Sequence, residues 1–378
     1  MTLLVSGCSQ NQQPALDPSA ASYGTIRIST GISEETAMIA HIYAQALEQV
    51  GYTVALEDTG QDRAGYLEAM QAAPASGSTS QSGNNPDTLD LVPDYSGNLL
   101  LYLTQDGAYS PSYIEQQRQA MASASASASA AYTYGWGDNK EAAGEEAASE
   151  ASGQAGGSAS SSSDRATESS LATASPTPTG FNPNILSAAD ITNAIDRILP
   201  ENLTLLEAAE AQNRDSLVVT QASATEYNLR SISDLAEHCQ ELTFAGPTSY
   251  KERSYGLAAL AQQYGCQPKK FVEENDQAAL SDQLAKNAVQ VADLFSASAE
   301  IDDNAYVVLE DPESVFIPQQ IVPVLQKEDL PSSAQNAINS VSSRLKTSDL
   351  EMFNRLTSGE DAISQEDVAT FWLEQTRE

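Results

Sequence analysis

Residues 24–103 switch repeatedly between two periodicities, and this alternation limits what the chain can fold into. Gly24–Thr30 (GTIRIST) alternates and is β-branched, which predicts a strand. From Glu34 to Val50 the apolar residues recur at helical spacing behind Ser33, a side chain suited to cap the free N–H groups of a helix start. Gly51 punctuates, Tyr52–Glu57 predicts a second strand, and Gln61–Ala73 predicts a second helix ending near Pro74. Thr88–Val92 predicts a third strand with one acid, Asp90, inside it. A strand–helix–strand–helix–strand order implies a parallel sheet with right-handed crossovers.

The third strand runs into Asp94-Tyr95-Ser96-Gly97, read as a break, with Asp94 or Ser96 capping a helix over Asn98–Leu103. Backbone N–H groups at such a helix start are free to meet an anion or a polar ligand. Open α/β sheets take their ligands beyond the carboxyl ends of strands. Tyr95, Gly97 and Asn98 are therefore candidate ligand contacts.

Two polar stretches interrupt this pattern. Ala75–Pro86 reads as a Ser/Gly/Asn surface loop. Ala120–Gly180 is dominated by Ala, Ser, Gly and Glu, too little apolar surface to offset ordering entropy, and should be open to protease. Tyr132–Trp136 is an aromatic island within it. Order resumes at Ser187, with a helix over Ala188–Leu199 stopped by Pro200 and strands at Leu203–Leu206 and Ser216–Gln221. A helix capped by Ser233 follows, then a strand at Leu242–Gly246 and one helix over Glu252–Tyr264 ended by Gly265. Further strands are expected at Lys270–Glu273, Val289–Leu294, Tyr306–Leu309 and Ile321–Leu325. Helices are expected at Gln277–Asn287, Ser332–Leu345, Ser348–Thr357 and Gln365–Gln375.

With 378 residues the chain has room for two or three domains. Its formal charge is −34, from 18 basic against 52 acidic residues, which repels nucleic acid and anionic headgroups and suits an exported protein or a cationic ligand. Val5-Ser6-Gly7-Cys8 fits a bacterial lipobox in which Cys8 is lipidated, and Ser9–Tyr23 reads as a polar tether. The stretch before Cys8 is short for a signal peptide and lacks a basic region, so either the true start lies upstream, which is the expectation, or the lipobox match is chance. Cys239 and Cys266 remain as an even pair. A disulfide is permitted and would contribute roughly 3 kcal/mol; two free buried thiols are the alternative. No run of 18 apolar residues predicts a membrane span.

Catalytic patterns are missing. There is no glycine-rich phosphate loop and no zinc spacing, and neither His41 nor His238 stands in a nucleophile–base arrangement. The acids around Asp302 and Glu310 lack an EF-hand pattern. The expectation is a protein that is not an enzyme and needs no cofactor or metal.

Several segments, in order, resemble one family. DLVPDYSGNLL resembles D-x-x-P-x-Y-S/T-G; Leu199–Thr220 resembles L-P-x-G-L-x-x-L followed by D-x-x-A/S-L/I-x-V-T; SISDLAEH resembles T-I-S-D-L. YKERSYGLAALAQQYG resembles F-x-x-R-x-D-G-L-x-x-L-x-x-x-Y-G; VADLFSASAEI resembles V-x-x-x-Y-S-T-D-x-x-I; YVVLEDPESVFIP and DVATFWL resemble the closing segments. The family is that of the substrate-binding proteins of ABC transporters for glycine betaine, choline, carnitine and related osmoprotectants.

The resemblance implies an α/β, two-lobed periplasmic-binding-protein-like fold of type II, with two crossovers between lobes and a long low-complexity insert. The implied division is 1–22 lipobox and tether, 23–103 first part of lobe I, 104–186 largely disordered insert, 187–296 lobe II, and 297–378 second part of lobe I. It implies a small quaternary-ammonium solute as ligand and membrane permease subunits as partners, with the chain extracytoplasmic and lipid-anchored to the bacterial cell membrane. A quaternary ammonium has no N–H donor, so aromatic faces must hold it. Tyr95 matches a cage tyrosine of the first lobe, Phe295 matches the tyrosine of Y-S-T-D, and Tyr250 matches an aromatic position. Ser216 falls where some members place another cage tyrosine, and Asn98 where members often have Thr. Ser33, Glu34 and Glu35 stand at the first helix start, the two glutamates against E-Q. Arg253 matches the family arginine and suits a ligand carboxylate. The alternative is a surface lipoprotein with a vestigial cleft, acting in adhesion or envelope spacing through its insert.

Overall fold

The structure, a computed structural model, describes residues 16–18, 20–30, 32–59, 63–71, 89–125, 186–253, 255–326, 330–359 and 361–377. Cys8, the Ala75–Pro86 loop and the Tyr132–Trp136 island lie outside the described residues.

A helical turn, α1 (Ala20–Tyr23), leads into β1 (Thr25–Ser29). α2 (Glu34–Gln49) is capped as expected: Ser33 accepts from the Thr36 N–H, and Thr36 returns a bond to the Ser33 N–H. β2 (Thr53–Glu57) and α3 (Arg63–Gln71) follow. β3 (Leu91–Tyr95) differs from expectation, because the strand runs on through Pro93 and Asp94. The reason lies in its partner. Pro93 faces Pro323 in an antiparallel pair, so two residues that cannot donate are set opposite one another. α4 (Ser96–Leu103) then begins at once, with Tyr95 as its cap residue and no side-chain cap. Asp94 and Ser96 are engaged elsewhere: Asp94 holds Arg63, and Ser96 Oγ accepts from the Gln320 N–H. α5 (Pro111–Ser125), α6 (Ala188–Ile198) and β4 (Leu203–Leu205) complete this stretch.

The chain then crosses into a second unit: β5 (Asp215–Val219), α7 (Gln221–Glu226), α8 (Ile232–Ala236), β6 (Thr243–Gly246), α9 (Thr248–Glu252) and α10 (Leu257–Tyr264). β7 (Lys270–Glu273), α11 (Gln277–Ala285), β8 (Val291–Phe295), α12 (Ala299–Asp303) and β9 (Val307–Val308) follow. The cap of α8 is Ser231, whose Oγ accepts from the Asp234 N–H, rather than Ser233. The expected single helix over Glu252–Tyr264 is split into α9 and α10. At the split Gly256 passes so close to the Tyr250 carbonyl that no Cβ fits. Cys239 and Cys266 form a disulfide joining the segment after α8 to the segment after α10. The chain returns as β10 (Ile321–Gln326), α13 (Ser332–Ser342), α14 (Thr347–Thr357) and α15 (Gln365–Gln375).

Two five-stranded sheets result, ordered β2-β1-β3-β10-β4 and β7-β6-β8-β5-β9. In each, three parallel strands meet an antiparallel fourth, β10 or β5. α2 and α13–α15 cover one face of the first sheet around Ile39, Tyr43, Phe353 and Trp372. α3, α4 and α6 cover the other around Tyr66, Leu99 and Ile195. The crossings, 206–214 and 309–320, run side by side, with Asn213 N–H donating to Gln319 O at 3.0 Å and Gln212 bridging Gln320.

This topology corrects the expected boundaries. Residues 187–205 belong to the first lobe, because β4 pairs with β10 and α6 packs on α4. Residues 297–308 stay with the second, because β9 pairs with β5. The polar insert cannot start at 104, since α5 is a helix packed on α6; residues 126–185 lie outside the described set.

Candidate functional site

The carboxyl ends of the parallel strands in both sheets point to one region, where three polar clusters gather. The first centres on Glu35, in the first turn of α2 and buried. Its Oε1 accepts from the Tyr95 hydroxyl at 2.6 Å, and its Oε2 accepts from Asn213 Nδ2 and Asn354 Nδ2, both at 2.9 Å. Burial raises the Glu35 carboxyl above its ordinary value, and the three donors oppose that rise. The Tyr95 phenol is held well above its usual value by burial and by the charge of Glu35. Ser33 Oγ lies 3.4 Å from the same hydroxyl. Glu34 is exposed and accepts from Gln365 Nε2.

The second cluster sits on the other face of β3. Asp94 is fully buried and takes Arg63 through Nε at 3.0 Å and Nη2 at 2.6 Å, the Tyr66 hydroxyl at 2.6 Å and the Tyr95 N–H at 2.6 Å. The start of α4 is not left open. Ser96 N–H donates to Gln320 O at 2.9 Å, and Asn98 N–H donates to Gln319 Oε1 at 2.9 Å. Gly97 is small for a reason: an added Cβ would lie 2.4 Å from the Pro318 carbonyl oxygen.

The third cluster belongs to the second lobe. Asp215 opposes Phe295 across β5 and β8, and Asp293 opposes Leu217, so the period of two puts both acids on one face. Arg253 Nη1 lies 3.6 Å from Asp215 Oδ2, and the guanidinium sits 5.3 Å from the Tyr255 ring centroid while donating to its hydroxyl. Burial raises Asp215, against the pull of Arg253. Burial and the neighbouring Asp215 push Asp293 well above the carboxylate range. Neither oxygen of Asp293 meets a donor in good geometry, though the Asp215 carboxyl and the Ser216 N–H both bear on it. The pair therefore keeps a proton where two separate aspartates would not. Tyr255 carries the contact across to the first lobe, its hydroxyl donating to Asn98 Oδ1 at 3.3 Å.

The residues expected from sequence are distributed unevenly over this region. Ser33, Glu35, Tyr95, Asn98 and Arg253 all enter its networks. Phe295 is half-buried at the end of β8, with its N–H donating to Gln277 Oε1 at 2.9 Å. Ser216 is buried within β5, opposite Leu294. Tyr250 is enclosed, with ring centroids of Phe271 and Phe316 at 6.2 and 6.1 Å. Sequence reading missed Arg63, Asp94, Asn213, Asp215, Tyr255, Asp293 and Asn354 as members of the region. For three the signal was present: Asp215 and Asp293 are acids in apolar strands (DSLVV, VADLF), and Tyr255 replaces the acid of R-x-D-G.

Two α/β lobes, two side-by-side crossings and a polar region where the strand ends converge define a two-lobed solute-binding protein of the type II periplasmic-binding-protein-like fold. The chain belongs to the family described as the substrate binding domain of ABC-type glycine betaine transport systems, which residues 24–375 match. That is a family of binding, not of catalysis. The fold is similar to that of a glycine betaine/carnitine/choline ABC transporter protein in crystal form, with a TM-score of 0.59 and 16% identity over 93% of this chain and 98% of that one. It is also similar to unliganded YehZ from Escherichia coli, with a TM-score of 0.55 and 18% identity over 93% and 98%. Among the described residues no helix is long and apolar enough to cross a membrane.

Proposed function

We propose that the protein is the extracytoplasmic, lipid-anchored receptor of an ABC importer, and that it encloses a small quaternary-ammonium solute such as glycine betaine, choline or carnitine between its lobes. The observation that carries the reading is the family match across nearly the whole chain, joined to a site region rich in acids and phenols. Glu35 and Tyr95 come from one lobe and Asp215, Tyr255 and Phe295 from the other. Such a setting favours a cation over an anion, with Tyr95 and Phe295 as the rings that would supply cation–π attraction. Arg253 supplies one positive group for the carboxylate of a betaine. Closure about the hinge then presents one shape to the permease subunits, and no covalent step is involved. The lipobox ending at Cys8 supports anchoring.

Calorimetric titration against glycine betaine and choline tests the ligand. Tyr95→Ala should weaken both by roughly 0.5–2 kcal/mol, and Tyr95→Phe by less, because the ring face survives. Arg253→Ala should weaken the betaine and spare choline. Unchanged affinity in Tyr95→Ala would remove the ring from the site. Cys8→Ala in the native precursor should move the protein from the membrane fraction to the soluble one; persistence on membranes lacking the permease would refute the anchor.

A further inference from the structure

Four elements meet on the Glu35 carboxylate. Tyr95 ends β3, Asn354 comes from α14, Asn213 comes from the first crossing, and α2 supplies Glu35 itself. The two asparagines extend the network into the second lobe. Ala297 N–H, just past β8, donates to Asn213 Oδ1 at 2.9 Å, and Asn354 Nδ2 also donates to Ala297 O at 3.0 Å. One side chain of the first lobe thus sets the Tyr95 hydroxyl through one oxygen and, through the other, holds the two asparagines that bond the Ala297 backbone of the second lobe. We propose that Glu35 is a positioning residue that makes the placing of the Tyr95 ring and the closure of the lobes a single event. The proposal rests on the reading that solute binds between the lobes and adds the part that couples contact to closure.

A carboxylate in this position differs from a neutral amide in one testable way. Enclosure disfavours its charged form, so the arrangement in which Glu35 is buried beneath Tyr95, Asn213 and Asn354 holds a proton more tightly than one in which Glu35 is hydrated. Closure then strengthens as pH falls toward the ordinary carboxylate range. The Tyr95 phenol stays protonated throughout. The other titratable and charged groups on the elements around this point are Glu34, His41 and Glu48 on α2, Asp94 on β3, Glu207, Glu210 and Arg214 in the crossing, Asp349, Glu351 and Arg355 on α14, and Glu300, Asp302 and Asp303 on α12. Among these Arg355 pairs with Asp303 at 2.8 Å.

The experiment compares wild type with Glu35→Gln at about pH 5.5 and about pH 7.5; histidines, whose ordinary value falls in this interval, are common to both proteins, so the difference between the two isolates Glu35. It reads calorimetric affinity for glycine betaine and choline, and hydrogen exchange at the Ala297 amide corrected for intrinsic rate. Wild type should gain affinity and Ala297 protection severalfold at the lower pH, and Glu35→Gln should be flat in both. A glutamine variant with the wild-type pH dependence overturns the proposal. Should Glu35→Gln fail to fold, Tyr95→Phe and Asn213→Ala decide, since they touch different oxygens of Glu35. Their effects on Ala297 exchange should be non-additive, and additive effects would overturn the coupling. If neither solute binds wild type, the solute reading fails, and the exchange data still judge Glu35.

Discussion

A charge withdrawn from water must be answered by donors, and Asp94 is answered by a forked arginine, a phenol and a backbone N–H. Removing one partner should cost far more than the pair is worth. Arg63→Ala is expected to destabilise by about 3–5 kcal/mol, read by chemical denaturation, because Asp94 would remain enclosed and uncompensated. Asp293 behaves in the opposite sense. Unfolded, it releases its proton at the ordinary aspartate value; folded, it keeps the proton to higher pH. The folded chain binds more protons in that interval, so stability falls as pH rises through it. Asp293→Asn should flatten the thermal-melt profile across that window, and an unaltered slope would mean that Asp293 is ionised in the fold. None of this was legible in the sequence beyond the bare fact of acids in apolar strands. Which acid meets an arginine depends on strand register and on contacts between residues 31 apart, as for Arg63 and Asp94. Tyr95, by contrast, was legible as a member of this region, because it lies at the switch from strand to helix within the D-x-x-P-x-Y-S/T-G pattern, although the strand itself runs on past Val92 to reach it.

At the scale of elements, alternation and helical spacing located β1, β2, β7, α2 and α15 to within a residue or two. They failed where tertiary contact overrides local chemistry. Asp94 read as the start of a break, yet α3 supplies a cation for it, and β10 sets a proline opposite Pro93 beside it. The continuous helical pattern over Glu252–Tyr264 gave no warning of the split, which the close approach of Gly256 to Tyr250 requires. The disulfide ties down both sides of that split element, closing a loop between residues separated by 27 positions. Reduction, or Cys239→Ala with Cys266→Ala, should destabilise the second lobe by roughly 3 kcal/mol in the chain-entropy account. Denaturation monitored with and without reductant checks this, and the first lobe should be the less affected. Gly97→Ala should cost about 1–3 kcal/mol, since the Pro318 carbonyl is backbone and cannot swing aside.

For the whole molecule, a formal charge of −34 sets a field that reaches beyond any one contact. For the proposed solutes, association of the cation choline should slow as salt is raised, while the zwitterion glycine betaine should respond little; stopped-flow rates over a salt series test this. Equal salt dependence for both would show that the field does not guide entry. The lobes also differ in how they are threaded. All five strands of the second sheet come from one unbroken stretch, Asp215 to Val308, whereas the first sheet needs β1–β4 and then β10. Its covering layer is later still, with α15 lying against α2. A chain emerging amino end first can therefore assemble the second lobe while the first still lacks its fourth strand and the lid over its earliest helix. The part made first is finished last, so α2 must wait, its apolar face uncovered, until α13–α15 arrive, and a ribosome stalled before α13 would release a folded second lobe attached to an unfinished first.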